Sequence, residues 1–286
     1  MASVRDLRRR VKSTENMQKI TKAMKAVAAA KMRRAQDTVQ AARPYSKRMR
    51  AVLGRVASAS TGSANHPLLV VRDPNKVAYI IVTSDAGLCG GFNGNVIRMT
   101  EQLLKGSSAD ISLITVGRKS YDYFRKRGYK IEKEYVGLGD EIKNSTAREI
   151  GSLVINKYSE AEYDEVYVVF SQFVNVLVQR PTIIKVLPAE PPEQDENAVK
   201  VNYIFEPPTA IAVLAELLPK YIENAVFQAM LESKAGELSA RMTAMDNATK
   251  NASDMISSLT LTMNRVRQAA ITSEISEIVG GAAALE

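Results

Sequence analysis

In "MQKITKAMKAVAAAKMRRAQDTVQAARPYSKRMRAVLGRV" (residues 17–56), Met17, Thr21, Met24, Ala28, Lys31, Ala35, Thr38, Ala42, Tyr45, Met49, Val52 and Val56 recur at alternating spacings of four and three. That period is the seam of a helix held along one face against a second helix. Upstream, Val4, Leu7, Val11 and Thr14 repeat the spacing with an offset of one residue near Met17. Alanine at 28, 35 and 42 lets a partner helix approach closely, whereas Pro44 predicts a kink or a joint.

A second seam lies at the other end of the chain. Leu238, Met242, Met245, Thr249, Ala252, Ile256, Leu259, Met263, Val266 and Ala270 alternate by four and three, and only Gly236 interrupts a run without proline from Lys220 to Val279. Thr209 is placed to cap the start of this helix. A periodic helix of this length, without internal caps, predicts a coiled coil rather than a globular helix. Near its end the apolar stripe changes face, to Ile271, Ile275, Ile278, Ala282 and Leu285.

Between the seams the texture changes. "VAYIIVTS" (77–84) and "ISLITV" (111–116) are β-rich, and helix-compatible stretches follow each, at 93–105 and 118–127. A further helix is expected from Thr146 to Ser159, then strands at 166–173 and 182–187. Strands alternating with helices predict a small α/β domain with a mainly parallel sheet. The expected fold is α plus α/β: a long antiparallel coiled coil of N- and C-terminal helices with an inserted Rossmann-like α/β domain. Its divisions are an N-terminal helix over 1–58, the α/β domain over 59–206 and a C-terminal helix over 207–286. "ASASTGSANHP" (57–67) reads as a small-residue linker and "PAEPPEQDEN" (188–197) as a proline-rich acidic loop.

Helix length sharpens this picture. At 1.5 Å per residue, residues 3–58 span roughly 84 Å and residues 209–286 roughly 117 Å. Antiparallel pairing therefore leaves an overhang of about 33 Å, which begins near Val266. An unpaired overhang would expose Ile271, Ile275, Ile278 and Leu285 unless another protein encloses it.

Composition restricts the chemistry. A chain of 286 residues with one Cys and one His closes no internal disulfide and builds no Cys/His zinc site. No apolar run approaches the length of a membrane-spanning helix, and the N-terminal stretch lacks the apolar core of a signal peptide. The net charge of +8 is unevenly spread. Residues 1–56 hold 16 Lys/Arg against Asp6, Glu15 and Asp37, which gives +13, whereas residues 57–206 and 207–286 carry −2 and −3. Basicity confined to one segment points to one acidic partner surface.

The one loop that invites a cofactor is "TSDAGLCGGFNGN" (83–95). Its glycines fit neither the dinucleotide fingerprint nor the phosphate loop, and no lysine follows to hold a phosphate. It reads as a tight structural turn. Cys89 lacks a neighbouring base, since the only histidine is His66 in the linker, and Asp85 has no second carboxylate within the loop. Glu274 and Glu277, three apart on a helix, read as a solvated or partner-facing edge. No catalytic site, cofactor or metal is expected, and the chain reads as mechanical rather than catalytic.

Four segments together carry a resemblance: "QKITKAMKAVAAAKMRRAQ" (18–36), "TSDAGLCGGFN" (83–93), "ARMTAMDNAT" (240–249) and "NRVRQAAITSEISEIVGGA" (264–282). They are similar to hallmark segments of the gamma subunit of bacterial F-type ATP synthases, and the similarity runs end to end. It implies a central rotor shaft, a coiled coil within a ring of three alpha and three beta subunits, with an α/β foot on the membrane c-subunit ring beside the epsilon subunit. Catalysis would belong to beta. The resemblance implies that Arg267, Gln268 and Thr272 hydrogen-bond a beta loop. It also places Met24 where an acidic lever of beta sweeps, and Ile275, Ile278, Ala282 and Leu285 in an apolar bearing. It implies a peripheral location on the cytoplasmic side of the cell membrane, with membrane contact only through the complex. One departure is Ala86, where the family commonly has Arg after the "SD" pair. The competing class is a basic nucleic-acid-binding or scaffold coiled coil, but Arg8, Arg9 and Arg10 wrap around the helix and no base-reading motif follows.

Overall fold

The computed structural model describes residues 3–59, 66–190 and 210–283. Their elements are α1 (Val4–Ala59), β1 (Lys76–Val82), α2 (Phe92–Lys105), β2 (Asp110–Val116), α3 (Arg118–Arg125), β3 (Ile131–Tyr135), α4 (Asn144–Ser159), β4 (Glu165–Phe173), β5 (Gln179–Leu187) and α5 (Ala210–Ala283). The chain divides into two compact units, residues 1–28 with 241–286, and residues 29–240. The expected cap Thr209, the linker over 60–65 and most of the acidic loop lie outside the described residues.

The larger unit is built on one five-stranded sheet in the order β3-β2-β1-β4-β5. β1, β2, β3 and β4 run parallel, and β5 returns antiparallel to β4. Central β1 is buried on both faces after Lys76, as a parallel strand between helical layers must be. On one face Ala78, Ile80, Val82, Val166 and Val168 meet Ile150, Val154 and Tyr158 of α4, Leu214, Leu218, Ile222 and Val226 of α5, and Leu53 of α1. On the other, Val77, Tyr79 and Ile81 meet Val96 and Ile97 of α2 and Phe124 of α3. α4 approaches α5 at Gly151, where an added Cβ would lie 2.8 Å from Glu223 Cγ.

Three expectations are corrected. β3, "IEKEY", has three exposed charged residues in its centre and no apolar alternation, so pattern reading passes over it. It is an edge strand, where charge discourages pairing with another chain. Helix α1 runs on through Pro44, so no joint divides it there, and α5 runs on through Pro219. The α1 seam also differs in detail. Met17, Tyr45 and Val52 are exposed at 58%, 57% and 36%, and Thr38 is exposed too. The face that is covered instead follows Val4, Leu7, Val11, Thr14, Gln18 and Thr21 without a slip, and later Val39, Ala42, Ser46, Met49, Leu53 and Val56. Polar Gln18 and Ser46 occupy seam positions, and an apolar search steps past them to Met17 and Tyr45.

Candidate interaction surfaces

The glycine-rich turn after β1 lies where an α/β sheet would hold a ligand. Its polar groups are spent on one another. Ser84 N–H donates to Asn93 Oδ1 at 2.9 Å, Asn93 Nδ2 donates to Ser84 Oγ at 2.8 Å and to Cys89 Sγ at 3.2 Å, and Ser84 Oγ donates to the Ala86 carbonyl at 2.6 Å. Asp85 accepts from the N–H of Arg118 at 2.9 Å and of Leu138 at 3.2 Å, tying the turn to the start of α3 and to the loop after β3. Leu88 and Gly90 take φ of 62° and 57°. Cys89 is buried, and His66 caps a short 3-10 turn by accepting from Leu68 N–H at 3.2 Å. Among the described residues no group of three His, Cys, Asp or Glu is placed to hold a metal. The turn is a structural joint, and Ala86 contributes its backbone to it.

The helical unit carries the other expected residues. Its pairing is antiparallel, with Thr14 opposite Met255, Thr249 Oγ1 donating to Thr21 Oγ1 at 2.8 Å, and Lys25 Nζ 2.5 Å from Asp246 Oδ1. Leu7, Ala28, Met245 and Ala252 are buried in this seam. Met24 is half-buried beside Lys25. Extending the register places Val4 opposite residues near 265 or 266, and among the residues of α5 whose exposure is described, up to Gly281, Val266 is the last that is even half-covered.

Beyond it, every described residue from Arg267 to Gly281 is exposed. Arg267, Gln268 and Thr272 stand on this free end, and Thr272 Oγ1 donates back to the Gln268 carbonyl at 2.9 Å. Ile271, Ile275, Ile278 and Val279 are 48%, 55%, 71% and 62% exposed. At about 100° per residue, Ile271, Ile275 and Ile278 form a stripe about 60° wide, with Gln268 and Thr272 along one border and Arg267 along the other. Ala282 lies in the last turn of α5, while Leu285 falls outside the described residues. Ala270, expected on the seam, is exposed, because α1 no longer accompanies α5 there. A polar cluster and an apolar stripe on one face suit a partner that encloses the helix.

Comparison with known proteins decides the family. A sequence model of the family described as ATP synthase matches residues 3–285. The chain is 70% identical over 286 residues to the ATP synthase gamma chain of Pelotomaculum thermopropionicum, and 58% identical over 286 residues to that of Desulforamulus reducens, with 100% of each chain covered. The chain belongs to the ATP synthase gamma chain family. It is thus a subunit of ATP synthase, and these relatives give no support to a nucleic-acid-binding or scaffold coiled coil. Solved structures agree on the fold. A chain from a cryo-EM structure of Euglena gracilis mitochondrial ATP synthase, described as OSCP/F1/c-ring, matches with a TM-score of 0.70 at 17% identity, covering 99% of this chain and 94% of that one. A chain from the central stalk/c-ring structure of Tetrahymena thermophila mitochondrial ATP synthase matches with a TM-score of 0.61 at 24% identity, covering 80% and 99%. None of the described helices is long and apolar enough to cross a membrane.

Sequence reading missed the polar contacts that fix this gamma chain's helix register. The Asp246 carboxyl is held below the usual carboxylate range, first by its hydrogen bond from Lys25 and next by that from Lys250. A carboxyl depressed on folding contributes stability above its unfolded value of 3.8, and that stability is lost as pH falls through the folded value. Wild type and Asp246→Asn should therefore melt at different temperatures at neutral pH and converge in acid below 3.8. Because both partners are partly exposed, the difference should be modest and should shrink with added salt. A difference that persists in strong acid would reject the ion pair as its source.

Proposed function

We propose that this chain is the central rotating shaft of an F-type ATP synthase, coupling transmembrane ion flow to ATP synthesis or hydrolysis by transmitting torque to catalytic beta subunits. The observation that carries this reading is the end of α5, exposed from Arg267 to Gly281 in a chain 70% identical to a gamma chain along its whole length. Its apolar stripe suits a sleeve formed by three alpha and three beta subunits. Such a bearing works best with non-directional contacts, since dispersion and exclusion of water do not favour one angle as hydrogen bonds do.

Arg267, Gln268 and Thr272 supply the directional contact, to a loop of beta, and Met24 faces the acidic lever that the +13 first helix attracts. The division into helix 1–58, foot 59–206 and helix 207–286 follows these roles. The foot rests on the c-subunit ring beside epsilon, on the cytoplasmic side of the cell membrane, and the chain meets the membrane only through the complex. It binds no nucleic acid and needs no cofactor of its own.

Gln268→Ala removes about 1 kcal/mol of hydrogen bonding to the partner and should lower coupled ATP turnover of the purified complex about fivefold. Arg267→Ala should lower it further, as a charged donor is lost. Both variants should keep wild-type helix content by circular dichroism. Unchanged turnover in an assembled complex would reject the role of these residues.

A further inference from the structure

In the larger unit, α1, α5 and the end of β4 are joined by polar contacts where purely apolar packing would suffice for stability. Val39, Phe173, Leu231 and Ala235 form a small buried cluster there. Beside it Arg43 Nη2 donates to the Phe173 carbonyl at 2.8 Å and lies 3.4 Å from Glu232 Oε1. Glu232 Oε1 also accepts from Gln228 Nε2 at 3.0 Å, and Ser46 Oγ links Gln228 Oε1 at 3.4 Å to Asn224 Nδ2 at 2.9 Å. On the far side of the β4–β5 turn, Ser239 Oγ donates to the Val176 carbonyl, and Gln179 Nε2 donates to the same oxygen at 3.0 Å. The turn is itself braced, since Asn175 Oδ1 accepts from the N–H of Leu177 and Val178 at 2.9 and 2.8 Å.

Glu232 is only 6% exposed, and its Oε2 is buried with no hydrogen-bond partner among the described residues. A buried carboxylate with one oxygen unsatisfied is costly, and in some proteins such groups are kept because they fix register. Hydrophobic contacts let surfaces slide; directional bonds to backbone carbonyls of a braced turn do not.

We propose that these contacts form a polar collar that locks the sheet to α1 and α5 against rotation about the helix axes, with Arg43 as its positioning residue. The collar rests on the shaft reading above and adds the place where torque enters the α/β domain. It contrasts with the apolar stripe of Ile271, Ile275 and Ile278 on the free end of α5: non-directional where turning is required, hydrogen-bonded where it must be prevented.

The test attaches a probe to the α/β domain of the assembled complex and measures the angular variance of the stalled rotor, with unloaded ATP hydrolysis alongside. Arg43→Ala should about double the variance, Arg43→Lys should widen it less, and unloaded hydrolysis should stay at the wild-type rate. Wild-type variance in an assembled Arg43→Ala complex would overturn the collar. If Arg43→Ala does not assemble, Ser239→Ala carries the same test with the same two outcomes. A wild-type complex that shows no rotation would count against the shaft itself, whereas a rotating wild type with unchanged variance in the variant counts against the collar alone.

Discussion

Gly117→Ala is expected to lower the melting temperature of the full chain on the order of 10 °C, from about 2–5 kcal/mol lost. Gly117 links β2 to α3 at a φ of +95°, and its N–H donates to the Tyr135 carbonyl at 2.8 Å. An added Cβ would stand 2.2 Å from the Thr83 carbonyl oxygen and 2.7 Å from its carbon. Both atoms are backbone, so no rotamer change relieves the contact. Left-handed φ costs about 1–2 kcal/mol for an L-residue, and overpacking adds about 1–3 kcal/mol. The ends of β1, β2 and β3 would have to part, and with them the turn that Asp85 ties to α3. A melting temperature equal to wild type would show that the joint is more pliant than this geometry allows. By contrast Gly137 and Gly139, also at positive φ, face open space, so alanine there meets backbone strain alone.

A chain ending at Val266 should keep its fold and lose most of its coupled activity. Among the described residues the deletion removes none that the rest of the chain covers, since every one from Arg267 to Gly281 is exposed. Circular dichroism and melting should therefore show an intact seam, with Leu7, Ala28, Met245 and Ala252 still buried. Within the complex the loss is larger. Each apolar side chain fully enclosed by a partner contributes about 1.5–3 kcal/mol, and Ile271, Ile275 and Ile278 all go. Coupled ATP synthesis by the reconstituted complex should fall at least about tenfold, because even about 1.4 kcal/mol of lost contact has that effect. Full synthesis with the truncated chain would show that the free end is dispensable.

Much of this was legible in the sequence, for reasons that particular residues make clear. The four-three spacing from Leu238 to Val266 is the face that α5 covers, because apolar or small residues hold nearly every position of it. The overhang followed from counting helix residues, and the exposure of Ile275 and Ile278 agrees with it. The α1 seam was read less well. Gln18 and Ser46 are polar residues on a covered face, and the hydrogen-bonding potential of Ser46 is met by partners that only the folded chain brings near, Asn224 and Gln228 across the pair. β3 escaped notice because an edge strand can be charged along its length. The collar around Arg43 was invisible for a related reason, as its partner is a carbonyl at the end of β4, and a backbone acceptor has no sequence signature. The roles proposed for Arg267, Gln268 and Thr272 rest on resemblance, since exposed polar residues carry no pattern that points to a partner.

Whether the chain is a shaft turning inside a ring is decided by cryo-EM of the complex purified through a tag on this chain. The chain should lie on the axis of a ring of six larger nucleotide-binding chains, with the end of α5 enclosed by them, in more than one rotary orientation. Purification without such a ring, or one fixed orientation beside it, would rule the shaft out.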